Sequence, residues 1–109
     1  MQHKITLPQL KKYDITQKVI EALADAESRV ILFSIIRKGK TASDLSTSLK
    51  IPLSSVYKKL SDLENLTLLQ VEKTILSEKG RRFKVYRSRI NKAEISIKKP
   101  EPTLSLSAN

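Results

Sequence analysis

No cysteine occurs in this 109-residue chain, and its single histidine is His3. Disulfides, thiolate metal sites and cysteine nucleophiles are thereby excluded, and a zinc site resting on one histidine would lack ligands. No apolar run approaches the roughly 18 residues that a membrane helix needs. The N-terminus also lacks the apolar centre of a secretory signal. No membrane partner is expected, and the cytoplasm is the expected compartment. With only two glycines there is no Gly-rich loop to cradle a phosphate. Asp62 and Glu64 stand two apart on a predicted helix and do not face each other. An enzyme is therefore not expected, and neither a cofactor nor a metal is implied. Aromatic residues are few: if Phe33 and Phe83 are buried, only Tyr13, Tyr57 and Tyr86 remain. That is a thin stacking platform for RNA.

Acid is also scarce. Eleven Asp and Glu stand against 21 Lys and Arg, a formal charge of +10. Such an excess selects polyanionic partners, namely DNA, RNA or an anionic membrane surface, and says nothing about fold. The excess is uneven. From Ser77 to Lys99 nine basic residues face only Glu78 and Glu94, whereas from Asp14 to Ile36 four acidic residues outnumber Lys18 and Arg29.

Residues 1–13 mix charges with Pro8 and read as an N-terminal arm. From Thr16 the pattern is helical, with Val19, Ile20 and Leu23 on one stripe. Asp25 is a good N-cap for a second helix over Ala26–Lys38, closed by Lys38 and Gly39. Its run Val30-Ile31-Leu32-Phe33-Ser34-Ile35-Ile36 is too apolar for a surface helix and reads as the buried centre, with a buried strand as the alternative. Thr41-Ala42-Ser43-Asp44 matches a capping box and opens a short helix carrying Ala42, Leu45 and Leu49. Pro52 pushes Ile51 toward extended geometry and stops that helix. A further helix over residues 53–66 places Val56, Leu60 and Leu63 on its inner face. Two short helices joined by a tight turn form a helix-turn-helix unit.

The period then drops to two. Leu69, Val71 and Ile75 alternate with polar residues, and after a Gly-containing loop Phe83 and Val85 do the same, which predicts a β-hairpin. Glu94-Ile95-Ser96-Ile97 looks like a strand. From Pro100 the tail shows no period. The expected organisation is an arm over 1–13, a DNA-binding domain over 14–99 and a disordered tail over 100–109.

Several pieces resemble the ArsR-like regulators. Ala22-Leu23-Ala24-Asp25-Ala26-Glu27-Ser28-Arg29-Val30-Ile31-Leu32 is similar to their opening segment, and Thr41 to Leu49 to the helix that follows. Ile51-Pro52-Leu53-Ser54-Ser55-Val56-Tyr57-Lys58-Lys59-Leu60 is similar to their recognition helix. Leu63-Glu64-Asn65-Leu66-Thr67-Leu68-Leu69 and Lys79-Gly80-Arg81-Arg82-Phe83-Lys84-Val85-Tyr86 are similar to their first wing strand and wing tip. The resemblance spans residues 19–90. It implies a winged helix-turn-helix: mainly α with a small β-hairpin, a three-helix core plus wing. Three features depart from the family. Lys50 and Thr67 stand where it usually has glycine, at positions that commonly need positive φ. The thiol metal-sensing motif is absent, and no long C-terminal dimerisation helix is evident.

By that resemblance the chain is a transcriptional regulator of double-stranded DNA. The recognition helix would present Ser54, Ser55, Tyr57, Lys58 and Ser61 to the major groove, where Lys58 can donate to guanine edges or phosphate. Tyr57 could equally lay its ring over the domain edge. The wing over 77–84 would bring Lys79, Gly80, Arg81, Arg82 and Lys84 to the backbone or the minor groove, whose potential attracts Arg. The alternative is an architectural DNA binder or a protein-interaction module of the same fold. A homodimer is also an expectation, since two half-sites double the contacts. Val19, Ile20 and Leu23, with Ile95 and Ile97, could supply its interface or simply complete a small core.

Overall fold

The computed structural model describes the backbone of residues 7–109 and the side chains from residue 15 onward. Four helices come first: α1 (Leu7–Ala24), α2 (Ala26–Ser34), α3 (Ala42–Leu49) and α4 (Leu53–Asn65). Two antiparallel hairpins follow, β1 (Leu69–Leu76) with β2 (Arg82–Ser88), and β3 (Ile90–Ser96) with β4 (Thr103–Ala108). Residues 1–6 of the expected arm lie outside the described residues. The rest of that arm is helical, because α1 starts nine residues before Thr16. Pro8 is compatible with this start, since the first helical turn needs no N–H partner.

Asp25 caps α2 as its residue type suggests. Its carboxylate accepts from the Ser28 amide at 3.0 Å and the Ser28 hydroxyl at 2.8 Å. The helix ends at Ser34 and does not reach Lys38. The physical reason lies in the carbonyls just beyond it. The Ile35 carbonyl accepts from the Ser88 amide at 3.0 Å, and that of Ile36 accepts from Arg87 Nε and Asn109 Nδ2. Tertiary partners thus take acceptors that a longer helix would use itself. The apolar run is also only partly interior. Ile31, Leu32 and Ile35 are fully buried, whereas Val30 and Phe33 (40% exposed) point outward, contrary to the burial expected of Phe33.

The Thr41 capping box forms in both directions, with Asp44 N donating to Thr41 Oγ1 and Thr41 N to Asp44 Oδ2. The chain leaves α3 through Lys50 in the left-handed region, at φ 56°, and leaves α4 through Thr67 at φ 61°. The glycine-type geometry is thus retained without the glycines. The Leu68 amide donates to the Leu63 carbonyl at 3.0 Å and the Thr67 amide to that of Glu64. These bonds satisfy end carbonyls of α4 and hold the β-branched residue in place.

The core draws Ile31 and Leu32 from α2, Ile35 from its C-cap, Leu45 from α3, and Val56, Leu60 and Leu63 from α4. Leu68 and Leu69 close it from the first wing strand and its approach. Val19 and Leu23 of α1 belong to this core too. An isolated β-bridge supports the wing. Lys40 and Tyr86 exchange backbone hydrogen bonds at 3.1 and 2.9 Å. Gly39 lies so close to β2 that a Cβ there would come within 2.7 Å of Val85 Cγ1. The close approach therefore requires glycine.

The C-terminal decade corrects the expected disordered tail. Thr103–Ala108 pairs with β3 in the register Ile95↔Leu104 and Ala93↔Leu106. Leu104 packs against the core. Asn109 ties the end down, donating from its amide to Arg89 O and from Nδ2 to Ser88 O. The fold is thus a three-helix core with a wing, extended by α1 and by a second hairpin.

Candidate nucleic-acid interface

The face of α4 opposite Val56, Leu60 and Leu63 is solvent-facing. Ser54, Tyr57, Lys58 and Ser61 are exposed and Ser55 is half-buried. Spacings of three and four put 54, 57, 58 and 61 on one stripe of the helix. Tyr57 is 49% exposed. It lines a groove of about 280 Å³ together with Thr41 and Ser43 of the α3 N-terminus and with Arg82, Phe83 and Lys84 of β2. The exposed face of α4 and the wing thus share one side of the molecule. Ser55 and Lys58 turn toward a wider, mixed-charge groove of about 930 Å³ between α1 and α4, which also holds Lys18, Glu21, Asp25 and Asp62.

The wing tip stands apart from that groove. Ser77 and Arg81 close the loop, with the Ser77 amide donating to Arg81 O at 2.8 Å and the Arg81 amide to Ser77 Oγ at 3.0 Å. Gly80 sits at φ 79°, in open space. This turn leaves Lys79, Arg81 and Arg82 exposed at the tip and Lys84 exposed on β2. Five predicted wing residues therefore share one hairpin, but only Arg82 and Lys84 reach the groove beside Tyr57.

Net charge overstates the free cations. Lys59 Nζ lies 2.7 Å from Asp25 Oδ2 and 3.7 Å from Glu27 Oε1. Its hydrogen bond, reinforced by those from Ser28, holds the Asp25 carboxyl down at about 2, against an ordinary 3.8. The same contact raises the Lys59 ammonium. Lys59 is thus bound to the α2 cap, and Lys58 alone supplies cationic charge on the outer face of α4. Likewise Arg87 bonds Glu72 at 3.0 Å and the Ile36 carbonyl, and Lys92 bonds Glu94 at 2.7 Å. Tyr86 is buried under the wing, and that burial raises its hydroxyl.

Two groove residues escaped the sequence reading. Thr41 and Ser43 read as helix-capping positions, and only the fold brings them next to Tyr57. Among the described residues, no cluster of three histidine, cysteine or carboxylate side chains could hold a metal ion. No described helix is long and apolar enough to cross a membrane.

No protein-family model matches this chain, and no curated protein matches it. Among solved structures, the crystal structure of NolR from Sinorhizobium fredii is similar in fold. The two superpose with a TM-score of 0.61 at 17% identity, over 80% of this chain and 81% of NolR. With α3, its tight turn, α4 and the adjoining β1–β2 hairpin, the fold is a winged helix-turn-helix.

Proposed function

We propose that the chain is a DNA-binding transcriptional regulator, ArsR-like in its helix-turn-helix but without thiol metal sensing, working in the cytoplasm. Helix 53–66 reads the major groove with Ser54, Tyr57, Lys58 and Ser61, and Ser55 reaches backbone at its flank. The wing over 77–84 holds backbone or minor groove with Lys79, Arg81, Arg82 and Lys84. The observation that carries this reading is the groove shared by Tyr57, Arg82 and Lys84. A duplex that lies against the exposed face of α4 meets wing cations on the same side, as helix-turn-helix docking requires.

If about 5 phosphates are neutralised per subunit, log affinity falls against log salt with a slope of about −4 to −5. A gel-shift series in salt measures this slope, and a slope near zero sinks the reading. In the same assay Lys58→Ala is expected to relax sequence preference while leaving the slope nearly unchanged.

We further propose that the regulator acts as a homodimer, since paired half-sites double the contacts. Val19 and Leu23 are consumed by the core, so of the expected set half-buried Ile20 on α1 and exposed Ile95 and Ile97 at the second hairpin are left for a partner copy. Light scattering at micromolar concentration tests this, and a monomer would remove it.

A further inference from the structure

Leu76 is the outlier of the wing. It closes β1, is 67% exposed, and lies directly opposite Arg82 rather than opposite an apolar residue. Its neighbour Ile75 (44% exposed) is opposite Phe83, and directly opposed residues share a face of a hairpin. Ile75 therefore has an apolar cross-strand partner, and Leu76 has a cation. Arg82 faces it across the hairpin, and the loop between them carries exposed Lys79 and Arg81, with Glu78 its one acid. The loop Ser77–Arg81 is closed by its own hydrogen bonds, so Leu76 is presented from a defined turn.

A partner for this tip must accept an exposed aliphatic side chain next to exposed cations. An anionic membrane surface and the minor groove of duplex DNA both do so. A single leucine gives a membrane little to bury. The minor groove takes single apolar wedges between base pairs, with cations on the flanking phosphates. Arg82 also lines the groove with Tyr57, so a duplex on α4 would pass beside the tip.

We propose that Leu76 is a wedge that enters the minor groove and unstacks one base step, while Arg81 and Arg82 hold the phosphates on either side. This rests on the DNA-binding reading and adds a deformation to it. Flexible pyrimidine–purine steps would be preferred at the wing, since they open at the lowest cost. The wing would then select sequence without touching base edges.

The test uses the full chain and an alternating A·T duplex of about 20 base pairs with 2-aminopurine at several adenines, where opened TA steps raise its fluorescence. Wild-type protein is expected to raise the emission. Leu76→Met is expected to keep the rise, and Leu76→Ser to abolish it with affinity within about tenfold of wild type. Far-ultraviolet circular dichroism checks that both variants, at an exposed site, remain folded. An undiminished rise with Leu76→Ser overturns the wedge. Binding by wild type without any rise also overturns it and leaves the DNA-binding reading standing. Failure to bind this duplex even at about 50 mM salt, where phosphate contacts alone hold any sequence, sinks both. Leu76-dependent binding to anionic phosphatidylserine vesicles, with no change in the duplex signal, assigns the tip to membranes instead.

Discussion

The two hairpins have the same topology and different surfaces. In the wing, Lys79, Arg81, Arg82 and Lys84 are exposed, and Glu72 is occupied by Arg87. In the second hairpin, Lys92 and Glu94 neutralise each other on adjacent same-face positions, and β4 carries no charge at all. Anchoring differs as well. The base of the wing is clamped by Lys40 and buried Tyr86, while its tip extends freely. The second hairpin is tied at its base by Asn109, and Leu104 toward its turn packs against the core. One hairpin carries exposed cations at its tip, and the other closes the domain. An isolated two-stranded hairpin is marginal in water, so each depends on what it packs against.

The sharpest way to break this contrast is deletion of residues 100–109. It removes β4, the Leu104 packing and the hydrogen bonds of Asn109 to Arg89, Ser88 and Ile36. A loss of about 3 kcal/mol is expected, read from denaturant midpoints, with duplex affinity of the folded fraction unchanged. A truncated protein as stable as the full chain would reinstate the loose tail.

Next in size is the cationic tip. Arg81→Ala with Arg82→Ala is expected to flatten the salt slope by about 2 and to weaken binding to all duplexes alike. Lys92→Ala, on the other hairpin, should change neither quantity. Equal effects from the two variants would show that overall charge, and not the wing, sets affinity.

Smaller effects test the turns that aim α4 and the wing. Left-handed geometry costs an L-residue about 1–2 kcal/mol, and Gly gives back about 0.5–1 of that through chain entropy. Thr67→Gly should therefore stabilise by about 0.5–1 kcal/mol, visible as a raised denaturant midpoint. Lys50→Gly should do less, because Lys is not β-branched. A destabilised Thr67→Gly would mean that the Thr67 side chain contributes more than its backbone strain costs.

The weakest expected effect is a pH dependence. Asp25 titrates at about 2 in the fold against 3.8 ordinarily, so its contribution is complete above the ordinary value. That contribution drains as pH falls through this interval. Asp25→Asn should remove the corresponding step from an acid-unfolding curve. An unaltered curve would show that the Lys59 contact carries no net stability.

Several elements were legible because their signals are local. Asp25 and the Thr41–Asp44 box cap their helices as their residue types suggest. Pro52 separates α3 from α4, and Val56, Leu60 and Leu63 are buried as their spacing implies. The recognition-helix stripe and the cationic loop also follow from residue order. What was missed depended on partners far along the chain. The strand Thr103–Ala108 has a period-two pattern, Leu104 and Leu106 between serines, that is too short to read without Ala93 and Ile95 beside it. The early end of α2 depends on donors at Arg87, Ser88 and Asn109. Charge counting could not foresee that Lys59 would be bound to Asp25, 34 residues away.

Residue order alone therefore determined the helix-turn-helix, the hairpin after it and the basic character of the wing, since caps, turns and periodicity act over a few residues. Tertiary structure decided which cations stay free and which are neutralised. It also decided that the tail is a strand, and that Thr41, Tyr57, Arg82 and Lys84 meet in one groove. Those outcomes arise from approaches between distant segments, where burial and hydrogen-bond competition select among partners that local pattern leaves equivalent.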